Sequence, residues 1–261
     1  MSVTPDSFYA GSRTRTPETI ERRILEAVGE GATILDIGGY SSRPGAAEVP
    51  VEEEWARVKA GVGAARRLAP DAVVSVDTFR SEVARRVLDA VGPVIINDIS
   101  AGELDPQMLD VVARYGAPYI AMHMKGDPQT MQSLTEYRRD ITTEVVFYFR
   151  ERVERFLAAG IRRERIILDP GFGFAKTVDQ NYELLSGLHR LCELGFPVLA
   201  GHSRKSMIYK ALDTTPEESL AGTVALGWEC LRQGARILRV HDVREAADTV
   251  RLFRIYEQNK H

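Results

Sequence analysis

Cysteine is scarce in this chain of 261 residues: only Cys192 and Cys230 occur, both inside helical patterns. That excludes a disulfide framework and suits reduced thiols in a cytoplasmic protein, and nothing around either residue marks a catalytic thiol. Long apolar runs are missing too. No stretch reaches the length of a membrane span, and the N-terminal MSVTPDSFYAGSRTRT lacks the apolar core of a signal peptide. There is also no excess of one charge: a formal net charge of -3 and a pI near 6.0 argue against nucleic acid or an anionic membrane as partner. Any phosphate must therefore be met by a local basic cluster. Low-complexity segments, solenoid-length repeats and dividing linkers are absent, so one domain over residues 1–261 is expected.

What is present is alternation. Short apolar runs begin at Ala32 (ATILDIGG), Asp71 (DAVVSVDT), Pro93 (PVIINDIS), Ala117 (APYIAMHM), Ile166 (IILDPG), Pro197 (PVLAGH) and Arg236 (RILRVHD). Amphipathic patterns of helical period surround them, over 17–30, 51–68, 81–90, 106–115, 137–159, 181–194, 217–232 and 244–258. Seven strands and eight helices predict an α/β protein closed as a (β/α)8 TIM barrel, with an open doubly wound sheet as the competitor. The first helix has no strand before it, so the first barrel strand is expected to be missing or shortened. Two long connections, 7–16 and 125–136, read as lids or binding loops, or equally as solvated connections.

The stretch IILDPGFGFAKT, Ile166 to Thr177, organises the rest. A buried strand ends on Asp169, and Pro170, Gly171 and Gly173 then let the backbone bend. In a parallel α/β protein the C-terminal strand ends carry the ligands, so Asp169, Phe172, Phe174 and Lys176 are expected on one rim. Ala175 before the Lys excludes a phosphate loop. The same rim should receive Asp36, Asp77, Asn97, Asp98 and His241, each at the end of an apolar run. One such Asp can simply cap a helix; repeated burial of carboxylates implies a polar ligand or a paired network.

The rim chemistry is mixed. Asp77, Asn97 and Asp169 offer acceptors and one amide, suited to the donor-rich edge of an amino-pyrimidinone heterocycle. Ser203, Arg204, Lys205 and Ser206 in GHSRKS, Ser41, Ser42 and Arg43 in SSRPGA, and Arg239 with His241 can hold an oxyanion-rich group. SRKS reads equally as a helix N-terminus facing water.

Eight segments in order, VTPDSF from Val3, DIGGYSSRPGA from Asp36, SVDT from Ser75, INDIS from Ile96, MHMKGDPQTMQ from Met122, DPGFGFAKT from Asp169, SRKS from Ser203 and RVHDV from Arg239, together resemble the dihydropteroate synthase family. The resemblance covers nearly the whole chain. It implies a single pterin-binding TIM-barrel domain and a transferase of folate biosynthesis. Such an enzyme joins 4-aminobenzoate to 6-hydroxymethyl-7,8-dihydropterin diphosphate with loss of pyrophosphate and help from Mg²⁺, and is a target of sulfonamides. It further implies pterin binding by Asp77, Asn97, Ile99, Met122, Asp169, Gly201, Lys205 and Arg239. Pyrophosphate would be held by Ser42, Arg43, Arg239 and His241, and aminobenzoate by Ser42, Pro44, Phe174, Lys205 and Ser206. Asp36, Arg43, Asp77, Lys205, Arg239 and His241 form the implied catalytic set, with Asp36 ordering metal and loops.

The chain departs from the family pattern at several points. Ser2 stands where the family has an Asn that ligates metal and pyrophosphate, so the metal ligands are left unassigned. Ser42 stands where Thr is common, Tyr40 replaces an acid, and His202 precedes SRKS. The resemblance also implies a homodimer through late helices, using Leu226 and Trp228. Two alternatives stay open: a catalytically impaired pterin-binding paralogue, and a methyltetrahydrofolate methyltransferase working with a corrinoid protein. The basic motifs SSRPGA, SRKS and RVHD argue against the methyltransferase.

Overall fold

The computed structural model describes residues 16–41, 48–127 and 129–260. Five parallel strands pair in chain order: β1 (Ile34–Gly38), β2 (Val73–Asp77), β3 (Ile95–Asp98), β4 (Tyr119–Met122) and β5 (Ile166–Asp169). Two short strands, β6 (Leu199–Ala200) and β7 (Ile237–Leu238), pair with each other. A bridge from Leu168 to Val198, with the Leu168 amide donating to the Pro197 carbonyl at 2.9 Å, joins β5 to β6. The seven expected strands are all present, and their order never reverses. A doubly wound sheet needs a reversal, so the barrel is the architecture that fits.

Alternation along the strands explains what the barrel holds. Ile34, Ile95, Ile120, Ile167, Leu199 and Ile237 form one apolar cluster. Two residues further along each of these strands stand Asp36, Asn97, Met122, Asp169, Gly201 and Arg239. Side chains two apart share a face, so an apolar floor of branched residues lies beneath a polar layer at the C-terminal rim. The opposite strand faces, with Ile37, Val76, Ile96, Tyr119, Ala121 and Leu168, pack against the helices in the main core.

Ten helices occur among the described residues: α1 (Pro17–Gly29), α2 (Val51–Leu68), α3 (Ser81–Val91), α4 (Gln107–Tyr115), α5 (Ile141–Ala158), α6 (Val178–Ser186), α7 (Leu188–Cys192), α8 (Ser206–Tyr209), α9 (Leu220–Arg232) and α10 (Val243–Gln258). Three boundaries correct the sequence reading, one of them the helix expected from 217, which starts at Leu220. The helix expected from 137 starts at Ile141, because the Asp140 side chain accepts from the Thr143 amide as its cap. The helix expected over 181–194 starts three residues earlier, at a Thr177–Gln180 capping box, and breaks at Gly187. A Cβ on Gly187 would stand 2.7 Å from the Thr142 side chain, so close packing on α5 requires glycine there. The expectation of a missing or shortened first strand falls on residues 1–15, outside the described residues, as does all but Thr16 of the 7–16 connection. The connection 125–136 is partly packed in: Met131, in a 3-10 turn over 131–133, is fully buried.

Candidate active site

Three strands and one arginine make the centre of the rim. Arg239, just beyond β7, donates from Nε to Asp36 Oδ2 at 2.6 Å and from Nη2 to Asp77 Oδ2 at 2.7 Å. Asn97 donates from Nδ2 to both oxygens of Asp36, at 3.3 and 3.2 Å. One guanidinium thus serves two carboxylates, and they divide the consequence. Burial pushes both carboxyls up; for Asp36 the charge of Arg239 leads the opposing causes and leaves it below the ordinary range. Asp77, with burial again dominant and Asp36 adding to it against Arg239, is pushed up to about 7. Two acids around one cation titrate as a pair. Arg239 itself keeps 42% of its side chain exposed, so its outer surface is open to a ligand.

The β5 end supplies the second group. Asp169 is buried and accepts the Gly171 amide at 2.8 Å; burial raises its carboxyl against the pull of Lys205. Lys205 Nζ donates to the Phe172 carbonyl at 2.5 Å and lies 4.6 Å from the Phe174 ring centre. Burial draws this lysine down to about 8. Gly201 lies beneath: a Cβ there would stand 3.8 Å from Asp169 Oδ2 and 3.9 Å from both Lys205 Nζ and Arg239 Cβ. Ile99, Met122, Met124, Met131, Phe174 and Ala175, with Phe79 against them, form an apolar wall to one side. The result is a rim with acceptors on one side, an apolar wall on another and the two cations Arg239 and Lys205 among them.

The sequence reading placed some residues here that point elsewhere. Asp98 faces the helices, where it accepts from the Ser100 amide and hydroxyl, the Gly102 amide and the Tyr119 hydroxyl. Arg204 is buried away from the rim, paired through Nε and Nη2 with Asp242 at 2.8 Å each and donating from Nη1 to the Pro216 and Glu217 carbonyls. The anion-holding role given to it is withdrawn. Lys176 and Phe172 do not face the rim either: Lys176 is buried behind the β5 turn, and the Phe172 ring packs into the main core.

Ser206 begins the four-residue α8 and is half-buried. His241 reaches the rim with Nδ1 3.0 Å from the Ser203 hydroxyl oxygen, which also accepts the His241 amide at 3.2 Å; burial and Arg239 pull the imidazole down to about 3. Ser42, Arg43 and Pro44, like Ser2, lie outside the described residues.

Two unexplained variants acquire physical reasons. Tyr40 stacks edge-on against Phe79 with ring centres 5.1 Å apart, under the Arg80 guanidinium. His202 is buried, its Nε2 2.9 Å from the Thr223 carbonyl, and serves packing beneath α9. Sequence reasoning missed the buried chain of Glu54 with Thr78 (2.6 Å) and Arg80 (2.9 Å), which anchors α2 to the end of β2. Its only sequence signal is periodicity: Glu54 shares the apolar face of α2 with Val58 and Val62, four and eight residues on.

Comparison with known proteins places the whole chain. The pterin binding enzyme family matches residues 1–241. The dihydropteroate synthase of Synechocystis sp. is 45% identical over 248 residues, covering 95% of this chain and 85% of that protein. The crystal structure of the Yersinia pestis dihydropteroate synthase in a sulfonamide drug complex superposes with a TM-score of 0.93 at 37% identity, covering 99% of this chain and 92% of that one. A Xanthomonas albilineans dihydropteroate synthase with 4-aminobenzoic acid gives 0.88 at 41% identity, covering 99% and 92%. With strand order, rim chemistry and near full-length similarity in agreement, the chain belongs to the dihydropteroate synthase family of pterin-binding enzymes, a family of transferases.

Proposed function

We propose that this chain joins 4-aminobenzoate to 6-hydroxymethyl-7,8-dihydropterin diphosphate, releasing pyrophosphate and forming 7,8-dihydropteroate. The observation that carries the reading is Arg239 laid across Asp36 and Asp77 above a buried acceptor layer. Asp77, Asn97 and Asp169 accept from the pterin edge while Lys205 donates to it, and Ile99, Met122 and Gly201 line the ring. Arg239 covers the ring with its exposed face. His241, with Arg43 and Ser42, takes the pyrophosphate. The aminobenzoate lies against Phe174, Lys205 and Ser206, with Ser42 and Pro44, the surface a sulfonamide would share.

Catalysis is then electrostatic and positional. Cations at the mouth stabilise the departing pyrophosphate, and the buried carboxylates stabilise positive charge spreading into the pterin from the exocyclic carbon. The aniline nitrogen attacks that carbon as the carbon–oxygen bond to the diphosphate breaks, and the proton the nitrogen gives up passes to the released pyrophosphate or to solvent. No covalent enzyme intermediate is needed, and burial raises both thiols above their ordinary range, which suits a bystander role.

Mg²⁺ belongs to the proposal as an ion shared with the substrate. Such ions are held by one or two carboxylates plus substrate phosphate. Among the described residues no group of three or more acids, histidines or cysteines could cage a metal, and Asp36 is the carboxylate oxygen source that fits, with the diphosphate supplying the rest. The ion would neutralise charge on the leaving group.

The proposal extends to a homodimer in the cytoplasm. Leu252, Ile255 and Tyr256 of α10 are at least 49% exposed, beside a ring cluster of Trp228, Phe253 and Tyr256, which supports pairing through late helices. Leu226 packs on the barrel instead. No described helix is long and apolar enough to cross a membrane.

A pyrophosphate-release assay with pterin diphosphate and Mg²⁺, with and without 4-aminobenzoate, tests the function. Release that depends on the amine is expected. Pterin binding without release would favour an impaired paralogue.

A further inference from the structure

Two lysines hold the turn after β5, and only Lys205 belongs to the rim. Lys176, buried behind the turn, donates from Nζ to the Gly171 carbonyl at 3.0 Å and the Phe174 carbonyl at 2.9 Å. Its third contact is Nδ1 of His123 at 2.9 Å. When Lys176 is charged it has donors only, so His123 then accepts here and carries its own proton on Nε2. The imidazole is wedged edge-on against Tyr148, with ring centres 4.8 Å apart.

Around this pair every part of the turn is tied. Tyr137 donates its hydroxyl to the Ala175 carbonyl at 2.8 Å, and the Gly173 amide donates to Asn181 Oδ1 at 2.7 Å. Such wiring is needed, because the turn is strained. Gly171, Gly173 and Ala175 have φ of 70°, 80° and 51°, and for Ala175 that left-handed conformation costs on the order of 1 kcal/mol.

Burying an ammonium away from the ligand is itself unfavourable; burial pulls Lys176 down to about 7, Asp169 opposing this and Lys205 adding to it. A group so placed acts on the shape of the turn. The turn in turn carries the Phe174 ring and the Phe172 carbonyl that holds Lys205. Asp77, Asn97 and Asp169 are held differently, by strand pairing: Asp77 opposite Asn97, and Asp169 opposite Met122.

We propose that Lys176 and His123 are positioning residues for the aminobenzoate half of the site, fixing the Gly171–Ala175 turn so that Phe174 meets the amine; Lys205, which the turn also holds, touches both halves, while the remaining pterin contacts rest on the strands. This rests on the proposed function, from which the aminobenzoate wall is taken.

The test uses Lys176→Met, which keeps the length and removes the donors, and the pair His123→Leu and His123→Asn, of which Asn retains an acceptor. Lys176→Met and His123→Leu are expected to raise KM for 4-aminobenzoate about tenfold, with a smaller rise of about threefold at most in KM for pterin diphosphate through Lys205, and His123→Asn to recover most of the loss. Amide exchange at Gly173 and Phe174, measured without substrate, should speed up about tenfold or more in the same variants. Equal rises in both KM values, or a turn whose exchange is unchanged, would overturn the proposal. Should Lys176→Met fail to fold, Tyr137→Phe removes the Ala175 tie alone; the same split at smaller amplitude is expected, and its absence counts against the idea. If the unaltered chain shows no amine-dependent turnover, the proposed function fails, and the exchange measurement still decides whether Lys176 and His123 set the turn.

Discussion

Arg239 Nε lies 2.6 Å from Asp36 Oδ2 across 203 residues of sequence, linking the end of β7 to β1. The same guanidinium reaches Asp77 on β2 at 2.7 Å. A contact that ties the last described strand to the first two therefore also sets the charge state of the pterin-facing acids.

Arg239→Met should separate these roles. The guanidinium is 42% exposed, so solvent already screens the ion pairs, and their loss should cost only about 1 kcal/mol of stability. Turnover should suffer far more, by about 10²-fold in kcat/KM, because a cation beside the departing diphosphate acts on charge that develops in the transition state. Denaturant melts set beside steady-state kinetics check both; parallel losses in stability and turnover would contradict the assignment.

The two acids make opposite contributions to pH dependence. Asp77, held up to about 7 in the folded chain, titrates near 3.9 when unfolded, so it removes stability as pH rises from about 4 to about 7. Asp36, held below its ordinary range, gives stability that is present above the unfolded value and lost only as pH falls through its folded one. Asp77→Asn should thus be more stable than the unaltered chain above pH of about 7, with the gain shrinking to nothing near about pH 4. Pterin diphosphate affinity should weaken below about pH 7 in the unaltered chain, as Asp77 gains a proton and loses an acceptor, and be weak but flat in the variant. Urea melts and calorimetric titrations across this range decide the matter.

How much of this was legible beforehand differs from residue to residue. The strands were, because each is an apolar run with a polar end. Asn97 and Asp98 both end an apolar run, yet adjacent strand residues face opposite ways, and only Asn97 shares a face with Ile95. Period two alone would have sent Asp98 to the helices. Arg204 was misplaced for a different reason: its direction depends on a φ of 53° at its own position and on Asp242, 38 residues away. Nothing local encodes that partner. The same holds for Lys176, whose two carbonyl acceptors lie in its own turn but whose third, His123, comes from the end of β4.

Arg204→Met should act on stability above all. The Arg204–Asp242 pair is mostly buried, and removing one partner leaves an uncompensated charge and takes a donor from the Pro216 and Glu217 carbonyls, of which Pro216 keeps the Ser219 hydroxyl, a loss of about 3 kcal/mol. Activity per folded molecule should change less than for Arg239→Met, which is read from kinetics below the melting transition. A stable Arg204→Met variant with a specific loss of pyrophosphate affinity would restore the arginine to the anion site.

Gly171 and Gly173 provide the sharpest contrast, since both have positive φ and differ in what lies beside them. A Cβ on Gly171 would stand 2.0 Å from the His123 carbonyl oxygen, a backbone atom that cannot yield. On Gly173 the nearest atom is Lys205 Cδ at 3.2 Å, part of a flexible side chain. Gly171→Ala should therefore lose on the order of 4 kcal/mol or fail to fold, through strain and displacement of β4. Gly173→Ala should fold at a cost of about 1 kcal/mol for the left-handed alanine, while the shift it forces on Lys205 lowers kcat/KM about tenfold. Expression level and urea midpoint test the first variant, kinetics the second. If Gly171→Ala folds normally, the turn does not cross His123 as tightly as this geometry requires, and the positioning role of Lys176 loses its structural basis with it.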